Sequence, residues 1–330
     1  MRAVQLTAYG NPVEGLKLVD IPAPDGPGPN KVRIGVEFCP INPSDLLLAM
    51  GIYALRPALP TVIGNEGVGR VLDVGPGVRN VKVGDRVLPP LSSFTWRERM
   101  VISADGLFAL PPGADPRQLA MLAINPPTAA LLLSEYVNLK PGEWVVQNAA
   151  NSGVGRWVIA FAKRRGLKTV NLVRRPELAP ELEAIGGDLV VVDSPDVSER
   201  IKAAVGHAEL RLALDGVSGP ATGVLAATLS PRGTLVSFAA MSLNPMSISP
   251  LDIIFKPVAV RGFFMGHPEF AAKLAPAAAQ AAEMIASGQV RIPVAATYAL
   301  SSIKEAVAHA QRGGKILLDV AGSRSPLDGN

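Results

Sequence analysis

VVQNAANSGVGRWVIAFA, residues 145–162, begins as an apolar strand, passes through a glycine-containing turn and continues with the apolar spacing of a helix. A turn of this kind lets backbone N–H groups contact a pyrophosphate at the helix N-terminus. The usual spacing is Gly-x-Gly-x-x-Gly, whereas residues 150–155 read Ala-Asn-Ser-Gly-Val-Gly and keep only the last of those glycines. The pattern is weak alone, but the strand before it and the helix after it predict a dinucleotide-binding unit.

Strands and helices continue to alternate beyond this turn. LKTVNLV (167–173), DLVVVD (188–193) and LRLALD (210–215) read as strands. Residues 176–185 and 197–205 read as the helices that connect them. This alternation predicts a parallel, doubly wound sheet.

The first 115 residues or so have a different pattern, rich in Pro and Gly. VRIGVEF (32–38), GVGRVLDV (67–74) and DRVLPP (85–90) are short β-branched runs bounded by turn residues. They predict a small, barrel-like β domain. A chain of 330 residues exceeds the usual size of a single core, which also favours two domains. The polar tail, residues 323–330, is expected to fray.

Composition excludes several classes of protein. Apolar residues make up 48% and charged residues 18%, with a net charge of +4, as in a globular protein. Lys and Arg are scattered, which favours an ordinary basic surface over a nucleic-acid groove, although small anionic ligands remain compatible. Cys39 is the single cysteine, so no intramolecular disulfide forms and a reducing compartment is indicated. Without a leader pattern or an apolar run of membrane-spanning length, we expect a cytoplasmic protein that does not bind membranes.

The residues after the second strand indicate which dinucleotide binds. An NAD enzyme usually carries Asp or Glu there to bind the ribose 2′-hydroxyl. This chain has Arg174 and Arg175, which would accommodate a 2′-phosphate instead. Two solvated surface arginines are the alternative. The sequence separation between the glycine turn and these two arginines favours NADPH as the cofactor.

The chain offers few metal ligands. Its three histidines all lie after residue 200, and Cys39 has no partner cysteine. A zinc site needs Cys, His or carboxylate ligands that converge on one ion, so we expect no metal. Hydride transfer from the cofactor, helped by neutral donors, is the chemistry that remains.

These features together resemble the medium-chain dehydrogenase/reductase superfamily over essentially the whole chain. Within it, the chain is similar to the zinc-independent trans-2-enoyl-thioester reductases of mitochondrial fatty acid synthesis. The resemblance implies an α/β fold with a GroES-like β-rich catalytic domain (1–118 and 265–330) and a Rossmann domain (119–264). It rests on the glycine turn and on INPSDLLLAMGIY (41–53), LPTVIGNEGV (59–68), FTWRE (94–98), INPPTAA (124–130) and LVRRP (172–176).

The resemblance also implies site residues. Tyr53 matches the tyrosine that the family uses in catalysis, and packing in a Pro-rich loop is its alternative. Asn65 stands where many alcohol dehydrogenases have a metal-binding histidine; it either orients its loop or lines the pocket. Asp45 and Glu66 resemble framework carboxylates. The implied cofactor contacts are Asn125, Asn151, Ser152, Gly153, Val154, Arg174, Arg175, Met241, Phe263 and Lys315.

We therefore expect NADPH-dependent reduction of the C=C bond of trans-2-enoyl thioesters, with CoA or acyl-carrier protein as the carrier. The hydride goes to Cβ and a proton to Cα, and Tyr53 either stabilises the enolate or supplies that proton. A quinone or general enone reductase is the nearest alternative. An inactive NADPH-binding protein is the alternative from another class. Edge strands in such folds commonly pair, so a homodimer is expected.

Overall fold

The computed structural model of the protein describes residues 1–322, and the tail in which fraying is predicted lies outside them. Two compact units are present, one formed by residues 1–124 together with residue 278 onward, and the other by residues 125–277. The predicted boundaries differ from these in the segments 119–124 and 265–277. No helix within residues 1–322 is both long enough and apolar enough to cross a membrane.

The helices and strands follow one another in three stretches. Up to residue 124 they are β1 (Arg2–Leu6), α1 (Pro12–Gly15), β2 (Leu16–Asp20), β3 (Lys31–Ile41), α2 (Pro43–Met50), β4 (Thr61–Val62), β5 (Val68–Val74), β6 (Arg86–Val87), β7 (Arg99–Ser103) and α3 (Pro116–Leu119). Then come α4 (Asn125–Ser134), β8 (Trp144–Gln147), α5 (Gly153–Arg164), β9 (Lys168–Val173), α6 (Ala179–Ala184), β10 (Leu189–Val192), α7 (Val197–Val205), β11 (Leu210–Asp215), α8 (Pro220–Thr228), β12 (Thr234–Ser237), α9 (Pro250–Ile254), β13 (Ala259–Gly262) and α10 (Ala271–Ala286). The last are β14 (Ala296–Ala299), α11 (Ile303–Arg312) and β15 (Ile316–Asp319).

The unit formed by residues 125–277 contains the predicted parallel sheet. Its strand order is β10-β9-β8-β11-β12-β13, and every neighbouring pair is parallel. Counted from β8, this is the 3-2-1-4-5-6 order of dinucleotide-binding folds. The central strands β8 and β11 are nearly continuous buried runs, which is typical of parallel sheets. The Rossmann fold is confirmed.

One predicted helix in this unit is divided. Residues 176–178 form a 3₁₀ turn, and α6 begins only at Ala179. Pro180 has no N–H with which to bond the carbonyl of Pro176, so a continuous helix over 176–185 lacks that bond.

The other unit is rich in antiparallel strands. β3, with eleven residues, pairs with β5, β7 and β15. A separate three-stranded sheet has the order β2-β1-β4. Alternating residues of β3, including Val32, Ile34 and Val36, are fully buried in one apolar core. This core supports α2 and the loop that follows it.

Candidate active site

The glycine turn lies between β8 and α5, as predicted. Ser152 is the N-cap of α5, and its Oγ accepts a hydrogen bond from the Gly155 N–H at 3.1 Å. A Cβ placed on Gly155 would lie 2.5 Å from the carbonyl oxygen of Ala150. Glycine at this position therefore allows α5 to start directly against the end of β8.

Asn125 lies beside this turn. It is the first residue of α4 and is buried. A Cβ on Gly153 would lie 2.5 Å from Asn125 Nδ2, so the side chain of Asn125 fills the space that glycine leaves. The structure thus brings Asn125 and Gly153 together, while Asn151 is exposed and Val154 is half-buried. Glycine at position 153 therefore lets Asn125 pack directly against the first residue of α5. The start of this helix, directly after β8, is the kind of place where dinucleotide folds bind a phosphate.

Arg174 and Arg175 directly follow β9, the neighbour of β8 in the sheet. Both are exposed. Within residues 1–322, no side-chain hydrogen bond or ion pair engages either guanidinium. Because β8 and β9 are parallel, their carboxyl ends lie side by side, which places the two cations next to the strand that leads into the glycine turn. A 2′-phosphate suits such unpaired cations.

Met241 and Phe263 come after β12 and β13, at the same edge of the sheet. Met241 is 58% exposed, whereas Phe263 is buried with its ring centroid 5.3 Å from that of Phe270. Ligands of open α/β sheets bind at the carboxyl ends of the strands. The predicted cofactor residues that follow a strand of this sheet therefore lie at the carboxyl ends of the strands.

Three side chains that form hydrogen bonds near this edge were not predicted from the sequence. Asn148 Nδ2 donates to Asp215 Oδ1 at 2.7 Å, and Asn148 Oδ1 accepts from the Gly216 N–H at 2.8 Å. Thr222 Oγ1 donates to the other oxygen of Asp215 at 2.6 Å. These bonds tie the ends of β8 and β11 together. The sequence signal that could have identified them is a polar residue at the end of each of these two apolar strands.

In the other unit, the N-terminus of α2 is capped by hydrogen bonds to side chains. The backbone N–H of Asn42 donates to Asp45 Oδ2 at 2.8 Å, and that of Asn65 donates to Asp45 Oδ1 at 2.9 Å. Asn65 Nδ2 donates to Ser44 Oγ at 3.2 Å. These contacts favour the interpretation of Asn65 as a residue that orients its loop. The spacing of Asn42-Pro43-Ser44-Asp45 is the sequence signal for the cap.

Glu66 and Lys315 are connected through Asn42. Lys315 Nζ donates to Asn42 Oδ1 at 2.8 Å, and Asn42 Nδ2 donates to Glu66 Oε1 at 2.8 Å. Glu66 Oε2 accepts from the N–H groups of Ala123 and Ile124, each at 3.0 Å. Glu66 therefore fixes the backbone of residues 123–124. The bond between Lys315 and Asn42 was not foreseen, because the two residues are far apart in the sequence.

Burial perturbs these ionisable groups. It raises the pKa of Asp45 to about 7, against the effect of the N–H groups of Asn42 and Asn65. It also raises the pKa of Glu66, although Lys315 and Asn42 oppose the shift. The pKa of Lys315 is lowered by burial, and the charges of Glu66 and Asp45 oppose that shift. Perturbed groups of this kind are typical of functional sites.

Tyr53 lies in the loop after α2, half-buried against the apolar core. Burial raises the pKa of its phenol, and the nearby charge of Asp45 raises it further. The phenol is therefore protonated at neutral pH and can donate a hydrogen bond. Trp96 is fully buried and packs on Gly64, so it belongs to the core.

Within residues 1–322, no group of three or more His, Cys, Asp or Glu side chains is placed to hold a metal ion. Cys39 is buried, and its Sγ donates to the carbonyl oxygen of Thr95 at 3.2 Å.

Two family models match the chain. Residues 28–111 match the alcohol dehydrogenase GroES-like domain, and residues 153–283 match the zinc-binding dehydrogenase family. The chain is also 38% identical to the mitochondrial enoyl-[acyl-carrier-protein] reductase of Caenorhabditis elegans, over 81% of this chain and 78% of that protein.

Solved structures agree with these matches. The mitochondrial 2-enoyl thioester reductase heterodimer Etr1p/Etr2p of Candida tropicalis has a TM-score of 0.88 at 26% identity, over 97% of this chain and 99% of that one. A complex of Etr1p with NADP and crotonyl-CoA scores 0.89 at 26% identity, with the same coverage. Escherichia coli quinone oxidoreductase with NADPH scores 0.84 at 27% identity, over 97% and 100%.

The expected cytoplasmic location is wrong by this comparison, because the reductases that the chain resembles, from worm to human and plant, are named as mitochondrial. The expectation rested on a single cysteine and on the absence of a leader pattern. A low cysteine count indicates a reducing compartment but does not distinguish one such compartment from another.

Proposed function

We propose that this chain reduces the C=C bond of trans-2-enoyl thioesters with NADPH. The chain belongs to the enoyl-thioester reductases of the medium-chain dehydrogenase/reductase superfamily. The observation that carries this function is the 38% identity to an enoyl-[acyl-carrier-protein] reductase over 81% of the chain. The complex of Etr1p with NADP and crotonyl-CoA supports both the cofactor and the thioester substrate.

The residues proposed to hold NADPH come from several segments of the chain. The turn residues Asn151, Ser152, Gly153 and Val154 would bind the pyrophosphate, and Arg174 with Arg175 would bind the 2′-phosphate. Further proposed contacts are Asn125, Met241, Phe263 and Lys315. Lys315 donates to Asn42, which leaves two of its three ammonium protons for a second acceptor. When bound, the cofactor supplies the hydride that adds to Cβ.

Tyr53 is the proposed catalytic residue. Hydride addition to Cβ moves the electron pair of the C=C bond toward the thioester oxygen, which becomes an enolate oxygen. The neutral Tyr53 phenol would donate a hydrogen bond to this oxygen, and Cα then takes up one proton to give the saturated acyl thioester. The raised pKa of Tyr53 supports a donor that stays protonated.

A quinone reductase is the second candidate, because the quinone oxidoreductase structure matches the fold nearly as well. Steady-state assays with NADPH and either crotonyl-CoA or a 1,4-quinone distinguish the two. We expect a much larger kcat/KM for crotonyl-CoA. A larger value for the quinone would reject the enoyl-reductase function, and NADPH binding without turnover of either substrate would indicate an inactive binding protein.

A homodimer through β13 is proposed as the assembly. β13 is an edge strand, and the surrounding segment exposes large apolar side chains: Leu243, Met246, Leu251, Ile253, Ile254, Phe255, Val260 and Phe264. Exposed apolar residues around an unpaired edge suit isologous pairing with a second copy. The Etr1p/Etr2p heterodimer supports a two-chain assembly.

Sedimentation tests the proposed dimer and should give a dimer for the wild type and a monomer for Val260→Lys. A monomeric wild type would contradict the proposal.

A further inference from the structure

The loop that carries Tyr53 is short and opens with a glycine. It begins at Gly51, the C-cap of α2 with φ +79°, and ends before β4 at Thr61. Tyr53 lies in its first part, residues 51–57. Ile52 and Leu55, on either side of Tyr53, are 57% and 45% exposed. These two apolar side chains therefore bury little surface to hold the loop in place.

Tyr9, far away in the sequence, contacts residues 51–57 of the loop before and after Tyr53. A Cβ on Gly51 would lie 3.2 Å from three atoms of Tyr9, so the side chain of Tyr9 packs directly on the Gly51 backbone. After Tyr53 in the chain, the carbonyl oxygen of Pro57 accepts a hydrogen bond from the Tyr9 hydroxyl. The Arg56 guanidinium lies over the Tyr9 ring, 4.9 Å from its centroid.

The backbone next to Tyr9 adds a further contact to α2. The Gly10 N–H donates to the carbonyl oxygen of Ala49, in the last turn of α2, at 3.1 Å. Tyr9 also packs against the apolar core. The side chain thus connects the core to Gly51 and to Pro57, and Tyr53 lies between these two contacts.

We propose that Tyr9 is a positioning residue that fixes the loop of residues 51–57 and thereby places the Tyr53 phenol for the reaction. This inference rests on the proposed function of Tyr53. A displacement of a catalytic group by about 1 Å is enough to lower the rate by up to two orders of magnitude. Tyr9 itself does not need to touch the substrate.

The test separates the hydroxyl bond from general packing. Tyr9→Phe keeps the ring against Gly51 and removes only the bond to Pro57. Tyr298→Phe is the matched control, because it removes a hydroxyl bonded to His309 Nδ1 at 2.9 Å in the same unit. For each variant, hydrogen exchange of the amides in 52–58, kcat and KM for crotonyl-CoA, and the Kd of NADPH are measured.

For Tyr9→Phe we expect amide exchange in 52–58 to rise about fivefold, the equivalent of one hydrogen bond. We expect kcat to fall about tenfold with the Kd of NADPH unchanged. Tyr298→Phe should change neither quantity. In a Tyr53→Phe background, adding Tyr9→Phe should cost no further activity, because Tyr9 acts through Tyr53.

Unchanged exchange in Tyr9→Phe, unchanged kcat despite faster exchange, or a full further loss in the Tyr53→Phe background would each overturn the inference. Failure of the proposed function is a distinct result. In that case the wild type would not turn over crotonyl-CoA, while the exchange rates would still decide whether Tyr9 fixes the loop.

Discussion

In residues 125–277 the proposed cofactor contacts, apart from Asn125, follow the carboxyl ends of parallel strands. Around Tyr53 the polar side chains come instead from separate segments of the chain. The glycine turn depends on a backbone that approaches closely, with no room for a Cβ on Gly155. The cluster of Asn42, Asp45, Glu66 and Lys315 depends on hydrogen bonds between side chains and backbone of distant residues.

The two regions therefore suit different parts of the reaction. A site made of strand ends and backbone N–H groups offers fixed dipoles, which suit binding of an anionic cofactor. Buried ionisable side chains with shifted pKa values suit the control of protons and of a donor such as Tyr53. Substitutions in the two regions should therefore affect different kinetic constants.

The largest effect is expected for Tyr53→Phe. Loss of one positioned donor should lower kcat for crotonyl-CoA by about two orders of magnitude. The Kd of NADPH, measured by fluorescence titration, should stay within about twofold, because Tyr53 is not among the proposed cofactor contacts.

Tyr136→Phe is its control, since the Tyr136 hydroxyl bonds the Gly262 carbonyl oxygen at 2.8 Å in the other unit. A rate for Tyr53→Phe equal to that of the wild type would remove Tyr53 from the mechanism. It would also contradict the assignment of proton control to the region around Tyr53.

Arg174→Ala tests the other region. Loss of a charge-assisted bond worth about 1.5–3 kcal/mol should weaken NADPH by about 10- to 100-fold. NADH lacks the 2′-phosphate, so its affinity should change little. The ratio of the two Kd values is the measurement, with Arg164→Ala as a surface control. Equal losses for both dinucleotides would mean that the phosphate is not bound there.

Glu66→Gln tests whether the charged network supports the fold. Glutamine presents one acceptor and one donor, but both carboxylate oxygens of Glu66 accept hydrogen bonds. One or more N–H groups are left unpaired, so the free energy of unfolding should fall by about 1–3 kcal/mol. Urea unfolding measures the loss.

Glu143→Gln, whose partner Arg211 is half-exposed, should change stability by less than about 0.5 kcal/mol. An equal effect of Glu143→Gln and Glu66→Gln would show that burial of the network contributes nothing.

The sequence predicted much of the fold and less of the site. Alternating apolar strands and helices placed β8, α5, β9 and β10 to within a few residues, because hydrophobic periodicity is a local signal. The arginines after β9 were predicted for the same reason. The bonds from Lys315 to Asn42, and from Glu66 to residues 123–124, depend on tertiary packing and have no local pattern. Tyr9 was missed because a tyrosine near a strand end is typical of core packing.

The smallest expected effect concerns pH and Asp45. Burial raises the pKa of Asp45 to about 7, above the ordinary value of 3.8, so the folded protein holds a proton that the unfolded chain releases. Stability from this group is present below about pH 4 and is lost as the pH rises through 7. The raised pKa of Glu66 acts in the same direction.

Between pH 5.5 and 6.5 the free energy of unfolding should therefore fall by about 1 kcal/mol because of Asp45 alone. Urea unfolding at the two pH values measures the change in the wild type, in Asp45→Asn and in Asp105→Asn, an exposed aspartate. Asp45→Asn should lose this pH dependence because asparagine does not titrate, whereas Asp105→Asn should keep it. If Asp45→Asn kept the slope of the wild type, the two N–H groups that bond Asp45 would outweigh its burial, and the carboxylate would be charged throughout this range.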